Sequence, residues 1–324
     1  MGSIRALRRR ILTPSMSETR LDVRGFHVKN DAARARLERV GATFLTGYAY
    51  AAEARTVADA EQRLEELDRE VRGFGYEGAA MGFAVLDGLP IGGSGRVARL
   101  LAGSGRQHAY MAYIGVGWAM ARLPRFRWSR ISVADPLMRW LVLDGYGFHQ
   151  AYFSTRRYVT EHYREPELPW PAEGPRWYAQ HAIDQGIGRA LWFIGGTDVE
   201  QVTALLDGFP AERHPDLYSG AGLAATYAGG AEPAELSLLA ERAGSHLPQL
   251  RQGAVFAATA RVEAGLVVPH TEVALKLLCG ITPAEAAQLS LDCRPGPAGE
   301  QDDLPAYESW RRNLASALTA AERR

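Results

Sequence analysis

The sequence predicts an all-α protein, in which stacked helix pairs form an array of α-helical repeats like those of tetratricopeptide proteins. The first observation is a segment that recurs six times, in which a polar residue precedes a glycine and a mixture of small and aromatic residues. The second is that a proline near the start and a glycine near the end bound the segment that follows each of the last two copies, as they bound helices. We therefore expect few or no strands.

The recurring segments repeat at about the length of one helix–turn–helix unit. Their glycines are Gly78, Gly115, Gly145, Gly186, Gly220 and Gly253, which lie 37, 30, 41, 34 and 33 residues apart. The last two units align best, and the alanine- and leucine-rich segments after them are bounded by Pro233 and Gly244 and by Pro269 and Gly280. A unit of about 34 residues is typical of paired helices, so the glycine segments are expected to be the first helices of successive pairs.

The small residues of these first helices admit two interpretations. Each glycine costs a helix about 1 kcal/mol of propensity relative to alanine, so its repeated use indicates a structural demand. Close packing is one such demand, because small side chains let two backbones approach each other. The other is that the small faces leave room for a ligand among the neighbouring aromatic side chains.

The chain begins with a basic N-terminal arm, residues 1–25. Its first arginines are Arg5, Arg8, Arg9 and Arg10. Pro14 interrupts any apolar stretch that could follow them, so we expect no signal peptide. The arm is interpreted as an ordinary solvated segment, with contact to anionic lipid or to a membrane partner as the alternative.

The helical-repeat domain is expected to occupy residues 26–290. Within it, Thr56 followed by Asp59 predicts the capped start of a surface helix. The prolines of residues 164–176 indicate a candidate internal linker. Residues 291–324 are expected to form a linker and a C-terminal helix that faces solvent.

The composition excludes several classes of function. Lysine and arginine together number 37, as do aspartate and glutamate, so no overall positive charge predicts binding of nucleic acid. The two cysteines, Cys279 and Cys293, are too few for a disulfide scaffold and fit a reducing compartment. The longest apolar run, residues 109–121, is shorter than the ~20 residues of a membrane-spanning helix. We expect a cytoplasmic protein, with peripheral attachment at the inner face of the membrane as an alternative.

Two glycine-rich stretches have the spacing of a dinucleotide-binding loop, but neither meets its other requirements. Such a loop follows a strand, opens a helix and has an acidic residue about 20 positions on. No strand precedes Gly220-x-Gly222. Pro90 comes before Gly93-x-Gly95, and no acidic residue follows at that distance. The sequence also lacks Walker, nucleophile-elbow and His-Glu-x-x-His motifs, so no cofactor or metal site is evident.

Polar side chains scattered over the glycine-bearing helices are the remaining candidates for chemistry. If these helices surround a common interior, the side chains would converge there, and burial would raise the pKa of a carboxyl enough for acid or base catalysis. The candidate catalytic residues are Asp144, His149, Asp184, Gln185 and Arg189. The candidate substrate-binding residues are Tyr76, Glu77, Tyr113, Trp118, Tyr146, Tyr152, Trp192, Tyr218, Tyr227 and Gln252. The alternative is that each is structural, as when Asp184 pairs with Arg189 or Asp144 caps a helix.

Several long stretches resemble the UnbL-type proteins of enediyne biosynthetic gene clusters, a family of unknown function. They include YEGAAMGFAVLDGL, MAYIGVGWAMARLPRFRW, WLVLDGYGFHQAYF, AIDQGIGRALWFIGG and DLYSGAGLAATYAGG. The similarity extends from about Arg8 to Pro283, whereas the tail after Cys293 has no match. The resemblance implies a place beside an iterative enediyne polyketide synthase, with a UnbU-type membrane protein and a UnbV-type protein as partners. It assigns no catalytic residues.

Two functions follow from the residues and this resemblance. In the first, the protein is a component of enediyne-core biosynthesis that binds an apolar polyene in an aromatic-lined cavity and takes part in its desaturation or rearrangement. In the second, it is a non-catalytic helical scaffold that links the membrane partner to the other core proteins. Because the sequence has no cofactor motif, any electrons would come from a partner.

Overall fold

The computed structural model describes residues 2–90, 93–130, 133, 135–170, 174–296 and 304–322. Its α-helices are α1 (Gly2–Leu12), α2 (Leu21–Arg24), α3 (Asp31–Glu53), α4 (Val57–Glu65), α5 (Arg72–Gly88), α6 (Arg96–Ala102), α7 (Ala109–Arg122), α8 (Trp140–Phe153), α9 (Ala179–Ile194), α10 (Val199–Asp207), α11 (His214–Tyr227), α12 (Pro233–Ala243), α13 (Leu247–Glu263), α14 (Pro269–Cys279), α15 (Pro283–Asp292) and α16 (Ala306–Glu322). Short 3₁₀ segments, among them Met16–Thr19 and Arg125–Arg130, and a π-helical turn at Arg156–Thr160 lie between them. No strand occurs in these residues, so the predicted all-α class is confirmed.

Seven of these helices form the core, and each packs against the next. These inner helices are α3, α5, α7, α8, α9, α11 and α13. Their sequences leave little polar face; in α5, every residue from Gly73 to Gly88 is buried. A helix that is buried on all sides needs neighbours on all sides. The shorter α4, α10, α12 and α14 cover the inner helices from outside, since each buries only part of its surface.

The helix boundaries follow signals that are visible in the sequence. Thr56 and Asp59 form the expected reciprocal cap at the start of α4. Pro269 is the first residue of α14, and Gly280 follows its last residue with a left-handed φ of 70° that suits glycine. The helix α12 also begins at a proline and is followed by a glycine. The predicted punctuation of these two segments is confirmed.

Glycines allow the inner helices to meet backbone to backbone. A methyl group added at Gly186 of α9 would lie 1.8 Å from the carbonyl oxygen of Asp144 in α8. One added at Gly188 would lie 2.0 Å from the carbonyl oxygen of Leu217 in α11. Residues two positions apart point to nearly opposite sides of a helix, so the glycine pair seats α9 between two neighbours. The same pairs occur in α7, α8 and α11 at Gly115 and Gly117, Gly145 and Gly147, and Gly220 and Gly222.

This contact explains the six recurring segments. At every one of their glycines, an added methyl carbon would lie 1.8–2.0 Å from a carbonyl oxygen of the preceding inner helix. Close packing is therefore what these small residues provide. The alternative, that the small faces leave room for a ligand, is wrong at these positions, because the neighbouring backbone occupies the space.

The helix-pair pattern is regular only in part of the chain. From α9 to α14, inner and outer helices alternate with short connections. The longer connections on either side of α8 contain only 3₁₀ or π turns among their described residues. An array of the tetratricopeptide kind therefore stays a prediction. The candidate linker 164–176 falls in the connection after α8, and its residues 171–173 lie outside the described part of the chain.

The C-terminal helix α16 packs into the core, so the expectation that it faces solvent is wrong. Trp310 is 1% exposed, and its indole N–H donates to the carbonyl oxygen of Ser290 at 2.7 Å. The buried Arg311 guanidinium donates to the Asp216 carboxylate at 2.7 Å and thereby joins α16 to α11. The linker predicted before this helix includes residues 297–303, which are not among the described residues.

The N-terminal arm contains a helix, α1, that docks at the end of α3. Arg8 Nη2 donates to the carbonyl oxygen of Ala54 at 2.9 Å, and Arg9 pairs with Glu53 at 3.1 Å. The arm is thus attached to the domain at this point. Neither α1 nor any other described helix combines the length and the apolar character that crossing a bilayer requires.

Candidate functional site

A largely apolar cavity of about 60 Å³, which we call the aromatic cavity, lies between five inner helices and the N-terminal arm. The inner helices contribute Leu37, Val40, Gly41, Phe44 and Leu45 from α3, Phe74, Glu77 and Met81 from α5, Trp118 and Arg122 from α7, Phe148, His149, Tyr152 and Phe153 from α8, and Arg189 and Phe193 from α9. The arm contributes Pro14, Glu18, Thr19 and Leu21. An apolar pocket with a few polar groups is the usual form of a small-molecule site.

Residues 14–24 of the arm, which we call the strap, close one side of the aromatic cavity. The Leu21 N–H donates to the Glu38 carboxylate at 3.1 Å, and the Arg24 guanidinium donates to the Tyr152 carbonyl oxygen at 2.8 Å. Most side chains of the strap are partly or fully exposed. It is the part of the wall that no inner helix supplies, and it takes no part in the backbone-to-backbone glycine contacts between the inner helices.

Trp118 lies at the centre of the aromatic wall. Its ring centroid is 4.5 Å from that of Phe44, 5.1 Å from that of Phe148 and 6.0 Å from that of Phe153. Tilted and edge-on ring pairs at these distances stabilise the fold by more than the burial of their apolar surface alone. The indole N–H of Trp118 is buried and makes no hydrogen bond of normal geometry with a described residue. The wall therefore places one indole donor within an apolar surface, near the Glu77 carboxyl.

The cavity-lining side chains recur at a fixed position relative to the glycine pairs. The residues directly after the second glycine in α7, α8 and α9 are Trp118, Phe148 and Arg189. The residues four positions later are Arg122, Tyr152 and Phe193. Residues i and i+4 share one face of a helix. The glycine contacts that seat each helix thus also turn these side chains towards the same interior.

The helix α5 supplies one carboxyl group to the aromatic cavity, that of Glu77. It is 3% exposed, and its nearest cation is Arg189, whose Nη2 lies 4.0 Å from the Glu77 Oε1. Burial raises the pKa of Glu77 to about 7; the Asp144 carboxylate adds to the rise, while Arg189 and the nearby Trp118 oppose it. A carboxyl with a pKa near neutral pH can both donate and accept a proton there.

Asp144 and Gln185 lie behind Arg189. The Arg189 Nη1 donates to Asp144 Oδ1, and the Gln185 amide donates to Asp144 Oδ2 at 2.7 Å. The same amide donates to the Tyr307 hydroxyl of α16 at 3.0 Å. Three of the predicted catalytic residues therefore do converge, but Asp144 and Gln185 support Arg189 and do not border the cavity themselves.

His149 is a neutral base in the wall of the cavity. Burial lowers its pKa to about 4, although a contact with Gln150, 3.3 Å from Nδ1 to Oε1, opposes the shift. The other ring nitrogen, Nε2, is buried and has no hydrogen-bond partner among the described residues. A buried polar atom without a partner is costly, so a ligand that offered one would gain from the contact.

Two predicted site residues lie away from the aromatic cavity. Asp184 accepts hydrogen bonds from Arg213 at 2.6 and 3.0 Å. Its partner is thus Arg213 and not Arg189, the partner considered from the sequence. Gln252 accepts a hydrogen bond from the Ser219 hydroxyl at 2.8 Å. Both residues join helices to one another.

Of the predicted substrate-binding residues, Glu77, Trp118 and Tyr152 line the cavity. Most of the others hold hydrogen bonds elsewhere: Tyr76 with Glu65, Tyr113 with the Asp135 N–H, Tyr146 with Glu165, Trp192 with the Gly229 carbonyl, and Tyr218 with Asp207. Tyr227 packs against Phe74 with ring centroids 5.1 Å apart. The hydroxyl or N–H groups of the first five find polar partners there, whereas the buried Tyr227 hydroxyl has no hydrogen-bond partner among the described residues.

The phenylalanines that form most of the aromatic wall are not among the residues predicted from the sequence. They are Phe44, Phe74, Phe148, Phe153 and Phe193. The position directly after the second glycine would have identified Phe148, and the position four residues later in α9 would have identified Phe193. No comparable signal marks the other three.

No group of three or more His, Cys, Asp or Glu side chains in the described part of the chain is arranged to hold a metal ion. The polar groups that line the aromatic cavity are two carboxyls, an imidazole, two guanidinium groups, an indole N–H and two hydroxyls. Such a set can bind a polar group and transfer protons.

The comparison with protein families gives one match, to a model described as a protein of unknown function, DUF1702, over residues 3–318. No curated protein and no solved structure matches the chain. The matched region includes every inner helix, the strap and all the residues of the aromatic cavity. The chain therefore belongs to the DUF1702 family.

Proposed function

We propose that this protein takes part in enediyne-core biosynthesis, as the resemblance to UnbL-type proteins implies, by binding a polyene intermediate in the aromatic cavity. The observation that carries the proposal is the combination of an aromatic wall with two buried groups suited to proton transfer, Glu77 and His149. A conjugated chain is flat and apolar, so aromatic rings and the exclusion of water suit it.

In this structure, the aromatic cavity is too small for a long polyene. At about 60 Å³, it is smaller than the roughly 150 Å³ hole that admits benzene in another protein. Binding therefore requires the wall to open, and the strap is the part that the backbone contacts between the inner helices do not include. In this proposal, the strap lifts to admit the chain and then closes over it.

The reaction supported by these residues is a redox-neutral rearrangement. Protonated Glu77 donates its proton to one carbon of the conjugated system, and neutral His149 Nε2 removes a proton from another carbon. The double bonds shift along the chain, no electrons leave the substrate, and the two side chains exchange protons with water before the next turnover. Arg189 stabilises the Glu77 carboxylate that this step creates, and Asp144 holds Arg189 in place.

The test is to purify the protein from cells that also express the enediyne polyketide synthase and to identify retained small molecules by mass spectrometry. The wild-type protein should retain a conjugated compound. Glu77→Gln, which keeps the shape of the side chain, should retain the unrearranged isomer. Tyr218→Phe is the matched control, because its hydroxyl bonds to Asp207 outside the cavity. If wild type retains no conjugated compound, or if Glu77→Gln forms the same products as wild type, the proposal fails.

A second candidate function rests on the surface of α1. Leu7 and Ile11 are 55% and 69% exposed and lie one helical turn apart. They are flanked by the arginines of the arm, a pattern typical of contact with a membrane surface or a membrane protein. In this alternative, the protein is a scaffold at the inner face of the membrane that joins the UnbU-type membrane protein to the UnbV-type protein.

Co-purification tests the scaffold. Leu7→Glu combined with Ile11→Glu should abolish co-purification with the membrane protein, whereas Phe126→Glu, at a side chain that is 74% exposed elsewhere, should not. If wild type, the double variant and Phe126→Glu all recover the same amount of the membrane protein, α1 is not the contact surface.

A further inference from the structure

A second cavity, of about 210 Å³, lies beside the aromatic cavity and has a different chemistry. We call it the arginine cavity. Its charged residues are Arg36, Arg39, Glu70 and Arg261, and Val40 and Phe74 border both cavities. The two spaces are thus separated by little more than these two side chains. None of the residues singled out from the sequence as a site residue borders the arginine cavity.

Arg261 of α13 is a buried cation that forms no ion pair with a described carboxylate. It is 1% exposed and donates to the carbonyl oxygens of Glu70 at 2.8 Å and Tyr227 at 2.7 Å. Its guanidinium carbon lies 4.0 Å from the centroid of the Tyr227 ring, and its Nε–H has no hydrogen-bond partner among the described residues. Carbonyl oxygens and a ring offset only part of the cost of burying a charge.

The carboxylates around this cavity are already shared among other arginines. Glu70 accepts hydrogen bonds from Arg36 at 2.9 Å and from Arg39 at 3.0 Å, and Asp68 pairs with Arg39 at 3.0 Å. Three guanidinium groups against two carboxylates leave an excess of one positive charge.

The neighbouring imidazole does not change this balance. His270 accepts a hydrogen bond from Arg36 at its Nδ1, 2.8 Å away. Burial lowers the pKa of His270 to about 4, and the two nearby arginines add to that shift while the Tyr227 carbonyl opposes it. The ring is therefore neutral at pH 7.

We propose that the arginine cavity binds a single oxyanion, a carboxylate or a phosphate group, held by Arg261 together with Arg36 and Arg39. Arginine is well suited to this role because its planar group can offer two parallel donors to one oxyanion. The anion has two sources: a free small oxyanion, or the acidic end of an apolar chain whose remainder lies in the aromatic cavity. The second source rests on the proposed function, and the first does not.

The experiment uses the full chain and three probes at constant ionic strength: inorganic phosphate, a long-chain conjugated tetraenoic acid, and the corresponding alcohol. Phosphate binding is measured by calorimetry against chloride, and the two polyenes by their fluorescence. A free-oxyanion site predicts that phosphate binds and that acid and alcohol bind equally. A head-group site predicts that the acid binds at least about tenfold more tightly than the alcohol, the worth of one charged hydrogen bond.

Two arginine variants connect the result to the site. Arg261→Gln and Arg39→Gln should each weaken binding of the anionic probe by about tenfold and leave binding of the alcohol unchanged. Arg39 is half-exposed, so its variant reports on the site even where Arg261→Gln fails to fold. Arg34→Gln is the control, because Arg34 lies on α3, the helix that carries Arg39, and pairs with the exposed Asp31.

The inference is overturned if phosphate binds no better than chloride and the acid no better than the alcohol, or if Arg39→Gln binds the anionic probe as wild type does. In either case, binding of the alcohol would still support the proposed function of the aromatic cavity. If phosphate binds but neither polyene does, the anion site is supported and the proposed polyene site is not.

Discussion

The Arg189 guanidinium and the Asp144 carboxylate form an ion pair whose side chains are only 5% and 1% exposed. The pair joins α9 to α8 and holds Arg189 at the edge of the aromatic cavity, 4.0 Å from Glu77. A buried pair of this kind contributes little net stability, but the loss of one partner leaves the other charge buried and unpaired.

Removing the charge of Asp144 should therefore destabilise the fold strongly. We expect Asp144→Asn to lower the free energy of unfolding by about 3–5 kcal/mol, the usual cost of a buried pair broken on one side. Urea denaturation monitored by circular dichroism measures the change. The matched control is Asp22→Asn, because Asp22 and Arg20 form an exposed pair whose loss should leave the free energy of unfolding almost unchanged. Similar losses in both variants would contradict the role assigned to Asp144.

A methyl group in a helix contact should also be costly. In Gly186→Ala, the new carbon would lie 1.8 Å from the Asp144 carbonyl oxygen, and backbone cannot move aside as a side chain can. We expect a loss of about 3 kcal/mol or more, since overpacking outweighs the ~1 kcal/mol gain in helix propensity.

Gly208 provides the control for that substitution. An alanine there would meet only ordinary contacts at 3.5 Å, so Gly208→Ala should change the free energy of unfolding by less than about 1 kcal/mol. Thermal or urea denaturation of both variants gives the comparison. If Gly186→Ala proves as stable as Gly208→Ala, the helices are not packed backbone to backbone.

The raised pKa of Glu77 makes stability depend on pH. Between pH 4.5 and about 7, the folded protein keeps a proton on Glu77 that the unfolded chain has released. The contribution of Glu77 is therefore fully present below pH 4.5 and is lost as the pH rises through 7, by about 3 kcal/mol in total. Glu77→Gln lacks this dependence, so its free energy of unfolding relative to wild type should increase between pH 4.5 and 8.

His149 provides the opposite trend as an internal check. Its folded pKa of about 4 lies below the usual 6.5, so the stability that it contributes is present above pH 6.5 and is lost as the pH falls through 4. His149→Gln should reduce the acid-induced loss of stability in that interval.

If the difference in free energy of unfolding between Glu77→Gln and wild type does not vary with pH, the pKa of Glu77 is not raised by burial.

The buried C-terminal helix leads to a prediction for two aromatic residues. Trp310→Ala should lower the free energy of unfolding by about 3–5 kcal/mol, because Trp310 is 1% exposed and packs 4.6 Å from Phe256 between ring centroids. Phe126→Ala, at a residue that is 74% exposed, should change it by less than about 0.5 kcal/mol. Denaturation midpoints of the two variants give the answer. A tolerated Trp310→Ala would mean that α16 does not complete the core.

The features that could be predicted from the sequence are those that depend on local or repeated chemistry. The cap formed by Thr56 and Asp59 needs only four consecutive residues. The glycines of the inner helices recur because each makes the same contact with a neighbouring backbone. Helix positions and the all-α class follow from such signals, which require no knowledge of distant partners.

What could not be predicted depends on partners far apart in the chain. Arg311 finds Asp216 at a separation of 95 residues, and Asp184 finds Arg213 in preference to the nearby Arg189. Nothing in the local pattern distinguishes these pairs. The orientation of tyrosines such as Tyr218 could not be predicted for the same reason, because a hydroxyl group turns towards whichever polar partner the fold supplies.

Because their backbones are in direct contact, the inner helices can hardly move relative to one another. A shift of α9 at Gly186 and Gly188 would push on α8 and α11 at once, and each of those would push on the next. The inner helices should therefore unfold together, with their amide hydrogens exchanging at one common slow rate, while those of residues 14–24 exchange much faster. Under the proposed function, accommodation of ligands of different length would depend on this one stretch near the N-terminus, and substitutions there would be the way to change ligand preference.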